Sequence, residues 1–343
     1  MLRKNHTFYE SNKYPRKMYN YEKFHSVGGI TLKPKIYIDG KDGTTGLQIY
    51  DRLSARSDID LLLIDESKRK DPAERKKLLN AADLVFLCLP DAAAIEAAAL
   101  IENPAVRVID ASTAHRVAPG WVYGFPELGS GQKQAVIHAG RVANPGCHAT
   151  GFLSIAAPLV KLGILPADYP VTVYSLTGYS GGGKKMIAQY EDPARDAELD
   201  ALRIYGLNLK HKHLPEMQKI AGLDFPPLFN PVVDDYYKGM AATLMLHNRL
   251  LCGQPTAEDI AEALAGFYDG QPLISVVPFG RQDPLLSANK LSGRDTLEIT
   301  VCGHDAQTMI TARFDNLGKG ASGAAVQNRN PMLGFDETTG LNL

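Results

Sequence analysis

The run IDGKDGTTG, residues 38–46, constrains the fold more than any other segment of this 343-residue chain. A short β-rich stretch, KIYIDG, leads into it, and an amphipathic helix pattern, KDGTTGLQIYDRLSAR, leads out. Gly40, Gly43 and Gly46 stand three apart, a G-x-x-G-x-x-G relative of the dinucleotide fingerprint. Glycines there let the backbone approach a pyrophosphate, and the helix start offers free N–H groups with a favourable dipole. Thr44 and Thr45 add hydroxyl donors. The same glycines would also suit an ordinary strand–helix turn; the strand before and the helix after favour a nucleotide.

The pattern that follows repeats strand and helix. Apolar runs IDLLLID (59–65), ADLVFLCLP (82–90) and VRVIDAS (106–112) read as buried strands, with helical DAAAIEAAALIE between the last two. Such alternation predicts an α/β fold with a parallel, doubly wound, Rossmann-type sheet over 35–148. Past a helix at 147–163 the texture changes. PVTVYSLTGYSGGG, AATLMLHNRLL, LISVVPF and DTLEITVCG read as longer strands of a mixed or antiparallel sheet, a second, α+β domain over 149–312. TAEDIAEALAGFYDG (256–270) carries a Thr cap and early acids, so it reads as a helix. Residues 313–343 form a glycine loop and helix that return to the first domain. Residues 1–34 carry seven Lys or Arg against two Glu and lack an apolar signal core. They read as a poorly ordered extension, with a targeting or partner-binding arm as the other reading.

Composition excludes several classes. A formal charge of −1 leaves no basic excess for nucleic acid or a membrane surface. No apolar run is long enough to span a bilayer. Cys88, Cys147, Cys252 and Cys302 are too few and too scattered for a disulfide framework or a metal site, which suits a reducing, cytoplasmic compartment. Three of them lie in apolar strand contexts and read as small buried fillers.

Cys147 differs, because NPGCHATG (144–151) puts it on a turn at a helix start. A helix N-terminus stabilises a thiolate, so a lowered pKa and nucleophilic attack on an activated acyl carbon are expected. The nearby N–H groups would hold an oxyanion. NLKHKHLPEM (208–217) offers His211 and His213 as acid/base partners, on a loop entering a helix that opens Pro215-Glu216. A His-x-His pair also suits metal, but no third ligand stands at a recognisable spacing, so no metal is expected. DASTAHRV (110–117) places Ser112 and Arg116 at a strand's C-terminal end, where they would hold a phosphate, although Arg116 also suits a structural ion pair. GYSGGGKK (178–185) is a polar glycine loop or a plain turn. Beyond the second strand, Asp65 stands where an acid would bond a ribose hydroxyl, but Ser67 and Arg69 follow in ESKRK and favour the 2′-phosphate of NADP.

Taken in order, GKDGTTG, FLCLPD, DASTAHR, YGFPEL, NPGC, GYSGGGK, HKHLPE and GASGAAVQN resemble the N-acetyl-γ-glutamyl-phosphate reductases. The resemblance runs over residues 35–343 and fits the shorter type of that family, beside the aspartate-semialdehyde dehydrogenases. It implies a glyceraldehyde-phosphate-dehydrogenase-like fold and NADP(H) as cofactor. It implies NADPH-dependent reduction of an acyl phosphate through a cysteine thioester, in arginine biosynthesis, by a homo-oligomer (dimer or tetramer). It makes Cys147 the nucleophile and one of the two histidines the acid/base, His213 in preference to His211. Ser180, Gly181 and Asn328 fall with the cofactor, Asn328 at the position that orients the nicotinamide carboxamide. Ser112, Arg116, Asn144 and Glu216 fall with the substrate. The rival readings are a reductase of aspartyl or carrier-bound aminoadipyl phosphate, a non-reducing cysteine acyltransferase or hydrolase, and a nucleotide sensor without catalysis. One methylene distinguishes such substrates by only about 1–3 kcal/mol, so short motifs do not decide among the acyl phosphates.

Overall fold

The computed structural model describes residues 33–69 and 71–343. The extension expected over 1–34 lies, save for Lys33 and Pro34, outside the described residues. The first half alternates as expected: β1 (Lys35–Asp39), α1 (Thr44–Ser54), β2 (Asp60–Leu62), α2 (Pro72–Ala81), β3 (Leu84–Leu87), α3 (Asp91–Ala99) and β4 (Arg107–Asp110). Then come β5 (Val122–Tyr123), α4 (Ser130–His138) and β6 (Arg141–Ala143). These strands form one sheet in the order β2-β1-β3-β4-β6-β5, every pairing parallel. Alternate residues of its strands face opposite ways. Ile36, Ile38, Phe86 and Ile109 meet Ile49 and Leu53 of α1, whereas Tyr37, Val85, Leu87 and Val108 meet Leu79 of α2 and Ala97 of α3. Both faces are therefore covered, as a parallel sheet requires.

The second half starts with α5 (Cys147–Lys161) and continues through β7 (Thr172–Gly178), α6 (Gly183–Glu191), β8 (Arg203–Ile204), α7 (Leu214–Ala221), β9 (Leu228–Asp234) and β10 (Met240–His247). It ends with α8 (Ala257–Phe267), β11 (Ile274–Val276), β12 (Leu297–His304), β13 (Gln307–Phe314) and α9 (Gly323–Met332). Its sheet runs β11-β12-β13-β10-β7-β9-β8 and mixes parallel with antiparallel pairs. α5 is buried from His148 to Leu159 and lies against this sheet, so its all-round apolar sequence is that of a central helix. Gly151 permits the contact, since a Cβ there would come within 2.6 Å of the Ala242 methyl. Thr256 and Asp259 close a capping box at α8.

Several expectations need correction. The strand read over 59–65 holds only three residues, because Asp65 caps the short 3-10 turn Glu66–Lys68. The run 241–251 ends as strand at His247, where the 3-10 turn Asn248–Leu250 begins. Cys252 is consequently exposed in the loop before α8 and is not a buried filler. The C-terminal glycine loop is one π-helical turn, Gly318–Ser322, that runs directly into α9. α9 returns to the first sheet, placing Ala325, Val326 and Met332 in the cluster around Ile36 and Ile109.

Phe152 has no exposed surface and sits in the cluster that joins α5 to the mixed sheet. Phe152→Ala should lower stability by about 3–5 kcal/mol, read from denaturant unfolding.

Candidate functional site

The ends of the two sheets face each other across a cavity of about 400 Å³. Strand ends and helix starts supply most of its wall. Thr44 and Thr45 come from the first turn of α1, Asn144 and Cys147 from the turn into α5, and His211 and His213 from the loop into α7. Arg116, Ser180 and Gly181 also line it. A second crevice of about 450 Å³, beside the β1 end, holds Gly40 and Arg69.

The glycine turn is built for close approach. Gly40 has φ +88°, and a Cβ on it would stand 2.4 Å from the Cys88 carbonyl oxygen. At Gly46 a Cβ would stand 2.3 Å from the Gly40 oxygen, so helix and turn pack backbone to backbone. Gly43 is the N-cap of α1 and provides no side-chain cap, which leaves the first N–H groups free for an anion. These features fit a dinucleotide pyrophosphate. Asn328 adds a buried Oδ1 without a partner, a spare acceptor next to Asn144.

The turn into α5 is held from three directions. Glu216, 1% exposed, accepts from Arg116 Nη1 at 2.5 Å, from the Tyr123 hydroxyl at 2.5 Å and from the Gly146 N–H at 3.2 Å. A Cβ at Gly146 would lie 2.4 Å from both Arg116 Nη1 and His213 Nε2, so any larger residue before Cys147 would displace one of these side chains. His213 is the N-cap residue of α7; its Nε2 stands 4.0 Å from Glu216 Oε1, and its Nδ1 has no partner.

Burial acts on the thiol and the imidazoles in opposite directions. The Cys147 pKa is raised, chiefly by desolvation, although the His148 N–H, Arg116 and Lys212 pull it down. The lowered pKa expected from the helix start is thus corrected: loss of water outweighs the local N–H and the neighbouring cations. Desolvation holds His213 well below the ordinary imidazole range and His211 at about 4, so both rings are neutral bases at pH 7.

Not every expected residue opens into the cavity. Ser112 donates its hydroxyl to Asp110 at 2.7 Å and is not part of the cavity wall. Ser67 similarly donates to Asp65, and Arg69 pairs with Asp42 at 2.8 Å across the mouth of the β1 crevice. Arg116 lines the cavity but spends its guanidinium on Glu216, the Asn144 carbonyl and the Ala111 carbonyl. Glu216 and Asn328 lie behind the wall, Asn328 donating to Asn144 Oδ1 at 3.2 Å. Wall residues that the sequence motifs did not single out include His148, Tyr205, Lys212 and Asn316. His148 and Lys212 adjoin residues already singled out, whereas Tyr205 and Asn316 belong to no motif. His148 is bonded to Ser175 at 2.8 Å and to Tyr205 at 2.6 Å, and burial holds its pKa at about 3. Among the described residues no cluster of three or more His, Cys, Asp or Glu is arranged to hold a metal ion. No helix among them is long and apolar enough to cross a membrane.

Comparison with known proteins bears on this arrangement. Residues 35–135 match the family described as semialdehyde dehydrogenase, NAD binding domain, and 147–316 match semialdehyde dehydrogenase, dimerisation domain. The chain is 48% identical over 320 residues to N-acetyl-gamma-glutamyl-phosphate reductase 2 of Nostoc sp., covering 90% of this chain and 99% of that protein. It is also 48% identical over 305 residues to the corresponding reductase 2 of Pseudomonas putida, covering 88% and 97%. In fold it is similar to aspartate semialdehyde dehydrogenase II of Vibrio cholerae, with TM-score 0.68 at 15% identity over 88% of this chain and 98% of that one. Aspartate semialdehyde dehydrogenase of Candida albicans, solved with NADP, aligns with TM-score 0.60 at 14% identity, over 88% and 99%. With such identity along almost the full length of its relatives, the chain belongs to the N-acetyl-γ-glutamyl-phosphate reductase family of semialdehyde dehydrogenases.

Proposed function

We propose that the protein reduces N-acetyl-L-glutamyl 5-phosphate to N-acetyl-L-glutamate 5-semialdehyde, releasing phosphate, with NADPH as reductant. One observation carries this reading: a single cavity joins the free first turn of α1 to Cys147 and His213. In the division that goes with it, 35–148 binds cofactor, 149–312 carries catalysis and subunit contacts, and 313–343 returns to the first unit. A homo-oligomer in the cytoplasm accords with the dimerisation-domain match and with four unpaired cysteines.

The chemistry follows from the states of the side chains. Neutral His213 takes the Cys147 proton, and Glu216, 4.0 Å from its Nε2, favours the resulting imidazolium. The thiolate adds to the acyl carbon, where N–H groups of the first α5 turn face the developing oxyanion. The C–O bond to phosphate then breaks, phosphate leaves with the electron pair and takes up a proton from solvent, and Cys147 holds the acyl group as a thioester. NADPH, when bound, would supply the hydride that reduces this thioester. Cys147 departs as thiolate when the aldehyde forms, and His213 returns its proton. Gly40, Gly43, Thr44, Thr45 and Gly46 would hold the pyrophosphate, with Ser180 and Gly181 toward the nicotinamide and Asn328 backing the wall through Asn144. Arg69 takes the 2′-phosphate after releasing Asp42.

Purified protein given N-acetylglutamyl phosphate should consume NADPH, with far less consumption on aspartyl phosphate; a preference for aspartyl phosphate refutes the substrate. Cys147→Ser should cut turnover by ~10³-fold or more, while NADPH binding by fluorescence titration persists. Because burial raises the thiol pKa, alkylation of Cys147 in the free enzyme should still be climbing above about pH 8.5, where a free cysteine is half ionised. Peptide mass spectrometry reads that profile, and a plateau at lower pH contradicts it. Arg69→Ala should weaken NADPH binding by about tenfold, the scale of one lost charge-assisted contact, and leave NADH binding nearly unchanged.

A further inference from the structure

The substrate proposed above carries its phosphate as the leaving group on the very carbon that Cys147 attacks. Two cationic side chains other than histidine line the cavity, Arg116 and Lys212. Arg116 is only 8% exposed, and each of its three nitrogens already donates, to Glu216, to the Asn144 carbonyl and to the Ala111 carbonyl. Turning it to a ligand would leave the Glu216 carboxylate short of a donor in a dry setting, which is costly. Its hydrogen bonds make it part of the turn.

Lys212 is in the opposite condition. It lies between His211 and His213, is exposed, and lines the cavity. Among the described residues it makes no hydrogen bond or ion pair. Its charge bears on Cys147, His148, His211 and His213 together, and on Asp91 at the start of α3. An ammonium that shares a cavity wall with the nucleophile and all three imidazoles lies on the thiol side of that cavity. The phosphoryl group, one oxygen away from that carbon, occupies the same region. A free cation there meets the charge that grows on phosphate as the acyl C–O bond breaks.

We propose that Lys212 is the phosphate-binding residue of this site and that Arg116 acts as a positioning residue for the Gly146 turn. The assignment rests on the acyl-phosphate reading. It separates two duties that sequence alone assigns to Arg116.

The reverse reaction, with N-acetylglutamate 5-semialdehyde, NADP⁺ and inorganic phosphate, isolates the phosphate contact. Lys212→Met should raise KM for phosphate by about tenfold or more, the scale of a lost charge-assisted contact. KM for the semialdehyde and Kd for NADP⁺ should stay within about twofold of wild type, and Lys212→Arg should restore most of the phosphate KM. An unchanged phosphate KM, or a rise confined to the semialdehyde KM, overturns the proposal; the latter would assign Lys212 to the substrate carboxylate. A second measurement needs no turnover. Inorganic phosphate should slow alkylation of Cys147 in wild type and not in Lys212→Met, and equal slowing in both proteins, or none in wild type, overturns the proposal. Phosphate protection that depends on Lys212, in an enzyme that does not turn over the semialdehyde, would instead count against the substrate and leave the subsite standing.

Discussion

Glu216 is the interaction on which the rest of the site depends. An ionised carboxylate taken out of water is costly unless donors replace the water. Here the donors come from three separate stretches: Arg116 after β4, Tyr123 in β5 and Gly146 at the turn into α5. Burial raises the Tyr123 pKa well above the ordinary phenol range, so this hydroxyl keeps its proton and remains a donor. One carboxylate on α7 thereby ties the end of the parallel sheet, the cysteine turn and the histidine loop into a single piece. The placement of His213 against Gly146 follows, because His213 and Glu216 are one helical turn apart.

That rigidity has an electrostatic consequence. Removal of water penalises the thiolate and the imidazolium alike, which pushes the Cys147 pKa up and the His213 pKa down. The resting pair is therefore thiol and neutral ring. Forming the ion pair becomes favourable when a substrate brings an electrophilic carbon for the thiolate to bond. On the proposed reading a thiol held this way is quiet until substrate arrives, which the simple expectation of a helix-activated thiolate does not provide. His148 belongs to the same balance, since its bonds to Ser175 and Tyr205 fix a neutral ring beside that of His213.

Legibility in the sequence follows how local each feature is. The β1 turn, the α5 start and the α8 cap are each set by a few adjacent residues, and all could be read. β9 escaped because Pro231 interrupts its pattern. It is tolerated there since only the two-residue β8 lies between β9 and the sheet edge. Turn and loop context singled out Cys147 and the two histidines, and all three line the cavity. The duties of Arg116, Glu216 and Ser112 were not legible. Arg116 and Glu216 are 100 positions apart in the chain, and nothing local announces that they bond. Lys212 shows the reverse failure, since its neighbours were noticed and its lack of a partner is visible only in three dimensions.

The C-terminal return explains how distant segments come to shape one reactive sulfur. The π turn Gly318–Ser322 passes so close to Cys147 that a Cβ on Gly320 would stand 3.0 Å from the cysteine Cβ. Lys319 is turned inward, where it meets Glu127 and Gln327 in a buried network over the Phe125 ring. On the other side the Ser322 hydroxyl donates to Gln48 of α1 at 2.9 Å, and Arg52 of α1 grips buried Asp295 through two hydrogen bonds. The helix whose first turn lines the cavity is thus braced against the same turn that backs the thiol. A π turn is a wider coil than an α-helix, and such turns recur at functional sites. In this fold it lets one short segment touch α1, α5 and the buried Glu127 at once, so that cofactor side and thiol side keep a fixed separation.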